Sequence, residues 1–307
     1  MTPCGAGVHQ LQQKMFSRIR YRNCFLHQGS SLFQGGRCCS SLISKAREKL
    51  SHLGEGQVSL VKDDVSGIAT ITLEHAQKKN ALSGQMMVQL ADITEELFSW
   101  SLGKAVILQA QGDTFCSGGD LTTVKAISNP NDGLLMSTLM HNTLTQLYCL
   151  PLVTLCLVHG KALGGGAELT TVTDYRLFTN LGEVSFVQGR MGVVTGWGGG
   201  TRLVKLLGYS VALELLTTCR KLDGKEASKI GFADHIIEAA NRHEETKNWL
   251  IPRILHEQEV IQAMKKIVVG GRDLTLEESL LNERLNFSPL WGGPANMRAL
   301  GKNIKHK

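Results

Sequence analysis

Short apolar runs alternate along this chain with glycine-containing turns and with segments of helical period. Residues 152–158, LVTLCLV, are almost continuously apolar and bounded by turn signals, which is typical of a strand buried on both faces. Similar runs predict further strands at residues 57–62, 68–73, 106–110, 174–179, 184–186 and 233–237.

Helices are expected where apolar residues recur three or four positions apart. Ser83 is a favourable N-cap for one of them, and four apolar side chains behind it share one face: Met86, Leu90, Ile93 and Leu97. The other predicted helices cover residues 44–52, 121–128, 134–148, 201–207, 210–218, 224–230, 242–257, 259–269, 274–286 and 294–303. Strand–helix units followed by helices alone indicate an α/β core with a helical C-terminal region.

The chain therefore divides into a basic leader at 1–50, expected to be disordered, an α/β core at 57–222 and a helical region at 223–307. Seven of the 33 lysines and arginines stand within residues 1–47, where acidic residues are absent. Residues 48–307 contain the other 26 basic residues and all 27 acidic residues, so the net charge of +6 comes from the leader. This charge does not indicate nucleic-acid binding by the rest of the chain. This leader resembles a mitochondrial transit peptide, and a tail without any targeting role fits equally well.

Cysteine spacing argues against a metal-binding protein, and hydropathy argues against a membrane-spanning one. The eight cysteines form no C-x-x-C pair and no Cys/His ligand spacing, and several lie in apolar runs. We therefore expect reduced, mostly buried thiols in an intracellular protein, and no metal site. No run approaches 18 uninterrupted apolar residues, so no membrane span is expected.

Candidate chemistry is concentrated where strands end in glycine-rich turns. Gly164, Gly165 and Gly166 follow the strand at 152–158 and precede a helical pattern, an order that leaves free N–H groups at a helix N-terminus. A dinucleotide fingerprint needs glycine where Leu169 stands, and the Gly-Lys-Ser/Thr of a P-loop is absent, so a phosphate cradle is disfavoured. Either close packing of helix on strand or a ligand oxygen near the backbone would explain the glycines.

A second such turn, FCSGGD at residues 115–120, follows the strand at 106–110. If the two turns are adjacent, the N–H groups of Gly119 and Gly165 can bind one carbonyl oxygen from two sides. Such an oxyanion hole stabilises a thioester enolate by about 2.7–4 kcal/mol per donor. The pair of turns therefore predicts enolate chemistry.

Four segments in combination resemble the enoyl-CoA hydratase/isomerase (crotonase) superfamily: FCSGGD, ALGGGAEL, MGVVTGWGGGTRL and KLDGKEA. The resemblance extends from about residue 57 to the C-terminus. It implies a spiral of ββα units and acyl-CoA substrates, with coenzyme A as part of the substrate and no separate cofactor. It also implies that Gly119 and Gly165 form the oxyanion hole and that the helical C-terminal region assembles a homotrimer or hexamer.

Hydratases of this family use two glutamates. The first falls on Glu168, and the second, counted back from Gly192, falls on Gln188, whose amide is neither an acid nor a base. This departure favours a reaction whose first step needs no base, such as loss of CO2 from a 2-carboxyacyl-CoA. Finer similarities at residues 191–194, 197–199 and 290–296 resemble a decarboxylating branch of the family. They imply ethylmalonyl-CoA and, less well, methylmalonyl-CoA as substrates, metabolite repair as the role, and the cytosol as the location.

Roles for single residues follow from the resemblance. Glu168 is expected to reprotonate the enolate if an apolar pocket raises its pKa, and a glutamate that stabilises the helix start is the alternative. Gln188 and Trp197 are expected around the departing carboxylate, with core packing as the alternative for Trp197.

The coenzyme A end of the substrate is expected at the turn before the helix capped by Ser83. Lys78, Lys79 and the backbone of Ala81 would contact its phosphates and adenine, although exposed lysines also occur on any solvated face. Asp120 and Leu121 are further candidate substrate-binding residues, because they follow Gly119 directly.

Two rival functions stay open at the level of sequence. One is an enoyl-CoA hydratase or isomerase that acts on another acyl chain. The other is a catalytically silent member of the fold that binds CoA or RNA. The near-neutral charge of residues 48–307 argues against strong RNA affinity.

Overall fold

The computed structural model describes residues 36–302. The expected disorder and transit-like character of residues 1–35 therefore lie outside the described residues. Residues 36–50, by contrast, form a helix whose Ala46 and Leu50 are buried, which corrects the expectation of disorder for that part of the leader.

Nine strands in residues 36–302 form two sheets. They are β1 (Gln57–Asp63), β2 (Ile68–Glu74), β3 (Ala105–Ala110), β4 (Val153–Val158), β5 (Lys161–Leu163), β6 (Tyr175–Thr179), β7 (Glu183–Ser185), β8 (Leu222–Asp223) and β9 (His235–Ile237). The large sheet has the order β1-β2-β3-β4-β6-β9, and every pair in it except β1–β2 is parallel. The small sheet has the order β5-β7-β8.

The α-helices of the same part of the chain cover the sheets and form the C-terminal region. They are α1 (Gly36–Leu50), α2 (Gly84–Phe98), α3 (Leu121–Ala126), α4 (Pro130–Tyr148), α5 (Gly165–Thr170), α6 (Gly199–Leu207), α7 (Tyr209–Thr218), α8 (Gly224–Lys229), α9 (Arg242–Leu250), α10 (Gln258–Asp273), α11 (Leu276–Phe287) and α12 (Pro294–Leu300). Ser83 caps α2 as predicted, by accepting a hydrogen bond from the Met86 N–H.

Most predicted strands and helices are confirmed to within a few residues. The helix expected at 242–257 instead ends at Leu250 and continues as a 3-10 turn, Ile251–Arg253, because Pro252 has no N–H for an α-helical hydrogen bond. In the small sheet, the strand predicted at 184–186 is found as β7, whereas β5 and β8 were not predicted because strands of three and two residues carry too little pattern to stand out from a turn.

Strand β4 is buried on both faces, as its apolar run predicts. Leu155 and Leu157 pack in one core with Leu250, whereas Cys156 and Val158 belong to the larger core on the other side. The parallel strands place their carboxyl ends at one edge of the sheet, where ligands of α/β proteins bind. Both glycine turns leave the sheet at this edge, after β3 and after β4 and β5.

The amino ends of β4 and β6 are tied to the C-terminal region by one carboxylate. Asp174 accepts hydrogen bonds from the Thr154 N–H at 2.8 Å and from the Thr154 hydroxyl at 3.0 Å. It also pairs with the ammonium of Lys265 on α10, a side chain that is 5% exposed. Burial lowers the pKa of Lys265, and the charge of Asp174 opposes that fall.

We expect Asp174→Asn to reduce the free energy of unfolding by about 3–5 kcal/mol, because it leaves the Lys265 ammonium buried without a counter-charge. Lys265→Met removes the same pair together with its more deeply buried charge, so its cost should be clearly smaller. Urea unfolding followed by circular dichroism measures both. A larger cost for Lys265→Met than for Asp174→Asn would contradict this account.

Candidate active site

The two glycine turns contact each other, as the oxyanion hypothesis requires. Cys116 and Ala162 form an isolated parallel bridge, in which the Cys116 N–H donates to the Lys161 carbonyl at 3.1 Å. The Leu163 N–H donates to the Cys116 carbonyl at 2.8 Å. These bonds join the turn at 115–120 to β5, directly before Gly164.

Each glycine of the 164–166 turn is required for a different reason. Gly164 has a φ of +55°, in the region that side chains rarely adopt. A Cβ on Gly166 would lie 2.0 Å from the Cys116 carbonyl oxygen, and a Cβ on Gly165 would lie 2.4 Å from the Trp197 indole. Close packing by the protein itself therefore accounts for these glycines, without the approach of a ligand oxygen.

The N–H groups of Gly119 and Gly165 are left free by the fold. Leu82 bonds to the Gly118 carbonyl and to the Asp120 N–H, so the Gly119 N–H between them points away from Leu82. Gly165 is the first residue of α5, where an N–H has no intrahelical acceptor. Within residues 36–302, neither N–H donates to an acceptor of the protein. Two unpaired donors on adjacent turns are what an oxyanion hole requires.

One aromatic ring lies beside both glycines of the candidate pair. Trp197 is 4% exposed, and its indole lies 2.4 Å from the Cβ position of Gly165 and 4.0 Å from that of Gly119. The indole N–H donates to the Met136 sulfur at 3.0 Å. The structure thus places Trp197 beside the glycine pair, and this packing gives the site an apolar wall.

Glu168 lies in the first turn of α5, is 2% exposed, and accepts hydrogen bonds on both carboxylate oxygens. The four donors are Gln188 Nε2 at 3.0 Å and Gly196 N at 3.3 Å on Oε1, and Trp197 N at 2.9 Å and Gly199 N at 2.7 Å on Oε2. Burial raises the pKa of Glu168, and these donors oppose that rise. The raised pKa fits the predicted acid, and the four donors fit the structural role that the sequence left open.

Gln188 lies in a 3-10 turn, Val187–Met191, and is buried. Its amide nitrogen faces Glu168, while its Oε1 has no partner among the described residues. The position at which the family's second glutamate was expected is therefore occupied by an amide in direct contact with the first. No proton can be exchanged between this side chain and a substrate at neutral pH.

Arg202 on α6 is a site residue that sequence reasoning missed. Its Nε donates to the Thr171 hydroxyl at 2.9 Å, and its Nη2 donates to the Trp197 carbonyl at 2.7 Å. Burial lowers the pKa of Arg202 to about 10, so it keeps its charge at neutral pH. The available signal was a basic residue two positions after the GGG of the third glycine loop.

Asp120 lies at the end of the first glycine turn and connects it to α3. Its carboxylate caps α3 by accepting from the Thr123 N–H at 2.9 Å, and it lies 3.5 Å from the Lys78 ammonium. Against the effect of burial, the bonds from Thr123 and Lys78 hold the pKa of Asp120 below its ordinary value. Leu121, by contrast, is 59% exposed at the start of α3 and is available to a ligand.

The turn at 75–81 is fixed by Asn80, which sequence reasoning also missed. The Asn80 amide donates to the carbonyls of Gln111 and Thr114, both at 2.7 Å, and its oxygen accepts from the His75 N–H. Lys79 is exposed and has a φ of +55°, and Ala81 is buried with its N–H bonded to Lys78. An asparagine in a polar turn was the only signal for this anchor.

Cysteines, metals and membranes give no further site within residues 36–302. Cys116, Cys149, Cys156 and Cys219 are reduced thiols, and burial raises the pKa of Cys116 to about 12. In that part of the chain, no group of three His, Cys, Asp or Glu side chains is placed to hold a metal ion. None of its helices is both long and apolar enough to cross a bilayer.

A sequence profile of the enoyl-CoA hydratase/isomerase family matches residues 63–291. Among curated relatives, the ethylmalonyl-CoA decarboxylase of Xenopus laevis is 44% identical over 266 residues, which cover 86% of this chain and 89% of the relative. The enzyme of that name from Danio rerio is 44% identical, covering 90% and 93%, and that from Rattus norvegicus is 43% identical, covering 94% and 97%.

Solved structures share the fold. Enoyl-CoA hydratase from Bacillus anthracis superposes with a TM-score of 0.74 at 22% identity, covering 79% of this chain and 94% of that one. A putative enoyl-CoA hydratase from Thermobifida fusca, in complex with acetoacetyl-CoA, gives a TM-score of 0.69 at 22% identity, covering 80% and 98%. The predicted crotonase-like α/β fold with a helical C-terminal region is confirmed.

Proposed function

This chain belongs to the enoyl-CoA hydratase/isomerase family, and from that premise we propose that it removes CO2 from ethylmalonyl-CoA and, less well, from methylmalonyl-CoA. The relatives that are 43–44% identical over most of its length bear the name of such a decarboxylase. The observation that carries the proposal is the amide of Gln188, 3.0 Å from Glu168, where hydration would need a second carboxyl group.

The oxyanion hole would supply most of the rate enhancement. The thioester oxygen accepts hydrogen bonds from Gly119 and Gly165 while the bond between Cα and the carboxylate breaks. The electron pair of that bond moves into the thioester, CO2 leaves, and the enolate takes one proton from solvent at Cα to give butyryl-CoA. Each donor stabilises the enolate-like transition state by about 2.7–4 kcal/mol.

The departing carboxylate would lie near the indole of Trp197 and the amide of Gln188. Neither side chain carries a charge, so a carboxylate held there loses hydration without gaining a cationic partner. CO2 needs no such hydration, and its formation relieves the cost. Removing the indole should therefore slow the C–C cleavage more than it weakens binding.

The coenzyme A moiety would extend along the turn at 75–81 and the start of α3. Lys79 is exposed there and Leu121 presents an apolar surface, whereas Lys78 is partly committed to Asp120 at 3.5 Å. The Ala81 N–H is already bonded within the turn, so a backbone contact with adenine would use the second lone pair of the Ala81 carbonyl, which lies 3.3 Å from Nδ1 of His75.

Assembly and location complete the proposal. The C-terminal helices expose large apolar side chains that a homotrimer or hexamer would cover: Val268, Leu276, Leu280, Phe287 and Trp291. The enzyme would act in the cytosol as a metabolite-repair step that destroys side products of acyl-CoA carboxylation, with the mitochondrial matrix as the alternative. Light scattering and N-terminal sequencing of the mature protein measure these two properties.

A panel of malonyl-, methylmalonyl-, ethylmalonyl- and crotonyl-CoA tests the activity directly. We expect CO2 release from ethylmalonyl-CoA to exceed that from methylmalonyl-CoA, with no hydration of crotonyl-CoA. Hydration of crotonyl-CoA without CO2 release would reject the proposal in favour of a hydratase. Binding of acyl-CoA without turnover of any member of the panel would instead indicate a catalytically silent relative.

A further inference from the structure

The third glycine loop, residues 195–199, is attached to the oxyanion turn by the carboxylate of Glu168. Oε2 of Glu168 accepts from the N–H groups of Trp197 and Gly199, and Oε1 accepts from the N–H of Gly196. Gly199 opens α6, so Glu168 on α5 caps the N-terminus of another helix. A Cβ on Gly199 would lie 2.4 Å from Cγ of Glu168, which shows how closely the loop is packed against this side chain.

The backbone of Trp197 is held at both its N–H and its carbonyl. Its N–H donates to Glu168 at 2.9 Å, and its carbonyl accepts from Arg202 at 2.7 Å. With the backbone fixed in this way, the indole packs so closely on Gly165 that a Cβ at that residue would lie 2.4 Å from the ring. The indole N–H donates to the Met136 sulfur at 3.0 Å. The placement of the ring beside the oxyanion donors thus depends on these contacts, among which the Glu168 carboxylate holds the N–H of Trp197.

We propose that Glu168 is a positioning residue, which holds Trp197 against the Gly119–Gly165 pair by accepting hydrogen bonds, and that it is not the proton donor to the enolate. This inference deepens the proposed decarboxylation and rests on it.

The hydrogen-bond count argues against proton donation. Each oxygen of Glu168 already receives two N–H donors, and a proton on either oxygen would face one of them. Burial raises the pKa of Glu168, and the guanidinium of Arg202, which shares the loop, acts against that rise as the N–H donors do. A carboxylate surrounded by four N–H donors is suited to accepting hydrogen bonds. To donate a proton to Cα, it would first have to lose one of these N–H donors.

Glu168→Gln separates the two roles. A glutamine can keep its oxygen towards Trp197 and Gly199, and the Gln188 amide can turn so that its free Oε1 accepts from the new NH2 group. Positioning therefore predicts that Glu168→Gln keeps more than one-tenth of kcat and an unchanged pH profile, whereas Glu168→Ala loses about 100-fold in kcat with little change in KM. A proton-donor role predicts equal losses in both variants.

The second readout is the environment of Trp197, and it is independent of activity. The chain has four tryptophans, so the emission of Trp197 is obtained as the difference between each protein and its Trp197→Phe counterpart. We expect a red shift and stronger acrylamide quenching in Glu168→Ala, and neither in Glu168→Gln. Gly199→Ala displaces the loop from Glu168 without changing Glu168 itself, so it should reproduce the Glu168→Ala spectrum. It provides the same measurement if Glu168→Ala does not fold.

The inference is overturned if Glu168→Gln loses as much kcat as Glu168→Ala while Trp197 emission stays native. It is equally overturned if Trp197 emission is unchanged in both Glu168→Ala and Gly199→Ala. If the wild-type protein releases no CO2 from ethylmalonyl-CoA, the proposed function fails, and the emission spectra still decide whether Glu168 positions Trp197.

Discussion

Gly165→Pro should lower kcat for ethylmalonyl-CoA by about 100- to 1,000-fold while acyl-CoA binding is retained, because it deletes one of two donors to the enolate oxygen. Gly165 is the first residue of α5, and proline is well tolerated at that position of a helix. Proline therefore suits the helix start and removes the N–H, while its Cβ displaces the Trp197 ring as any side chain at this position would. Steady-state kinetics gives kcat, and calorimetry with butyryl-CoA gives the affinity.

The matched control is Gly165→Ala, which keeps the N–H. Its Cβ would still lie 2.4 Å from the Trp197 indole, so this variant reports the cost of displacing the ring. The proline variant shares this Cβ clash and also adds ring carbons where the N–H stood, so its extra loss over Gly165→Ala combines the missing hydrogen bond with the bulk of the ring. Equal activities in the two variants would show that the Gly165 N–H does not reach the substrate.

The glycine turns illustrate how far sequence reasoning reaches. The strands β3 and β4 are visible as apolar runs, so the meeting of the turns at one sheet edge could be predicted, whereas β5, which bonds directly to the turn at 115–120, was not visible. The reason for each glycine could not be predicted. The carbonyl of Cys116 leaves no room for a side chain at Gly166, and the ring of Trp197 leaves none at Gly165. Both contacts join residues that are far apart in the sequence.

Glu168 shows the same limit in a functional residue. Family resemblance identifies it as a candidate, but not its surroundings. Three of its four donors are the N–H groups of Gly196, Trp197 and Gly199, about thirty positions away, and backbone donors leave no mark on the amino-acid sequence. Asn80 and Arg202 were missed for a related reason, because their partners are carbonyls and a hydroxyl that any residue order could supply.

Gln188→Glu should reduce turnover of ethylmalonyl-CoA by about 100-fold at pH 8, equivalent to about 2.7 kcal/mol, and most of that loss should disappear at pH 6. The new carboxylate would replace an amide N–H that donates to Glu168 at 3.0 Å. Two carboxylates at that distance titrate as a pair with one pKa strongly raised. At pH 8 both are charged, which repels the pair and the substrate carboxylate, whereas at pH 6 one shared proton restores the hydrogen bond.

Gln188→Met provides the control for this pH dependence. It removes the same donor to Glu168 without adding a charge, so we expect a smaller loss, about 10-fold, of equal size at pH 6 and pH 8. The ratio of Gln188→Glu to Gln188→Met activity should therefore rise as the pH falls. A ratio independent of pH would mean that residue 188 lies too far from Glu168 and the substrate carboxylate to sense their charge. In that case the absence of a second acid would not explain why decarboxylation replaces hydration.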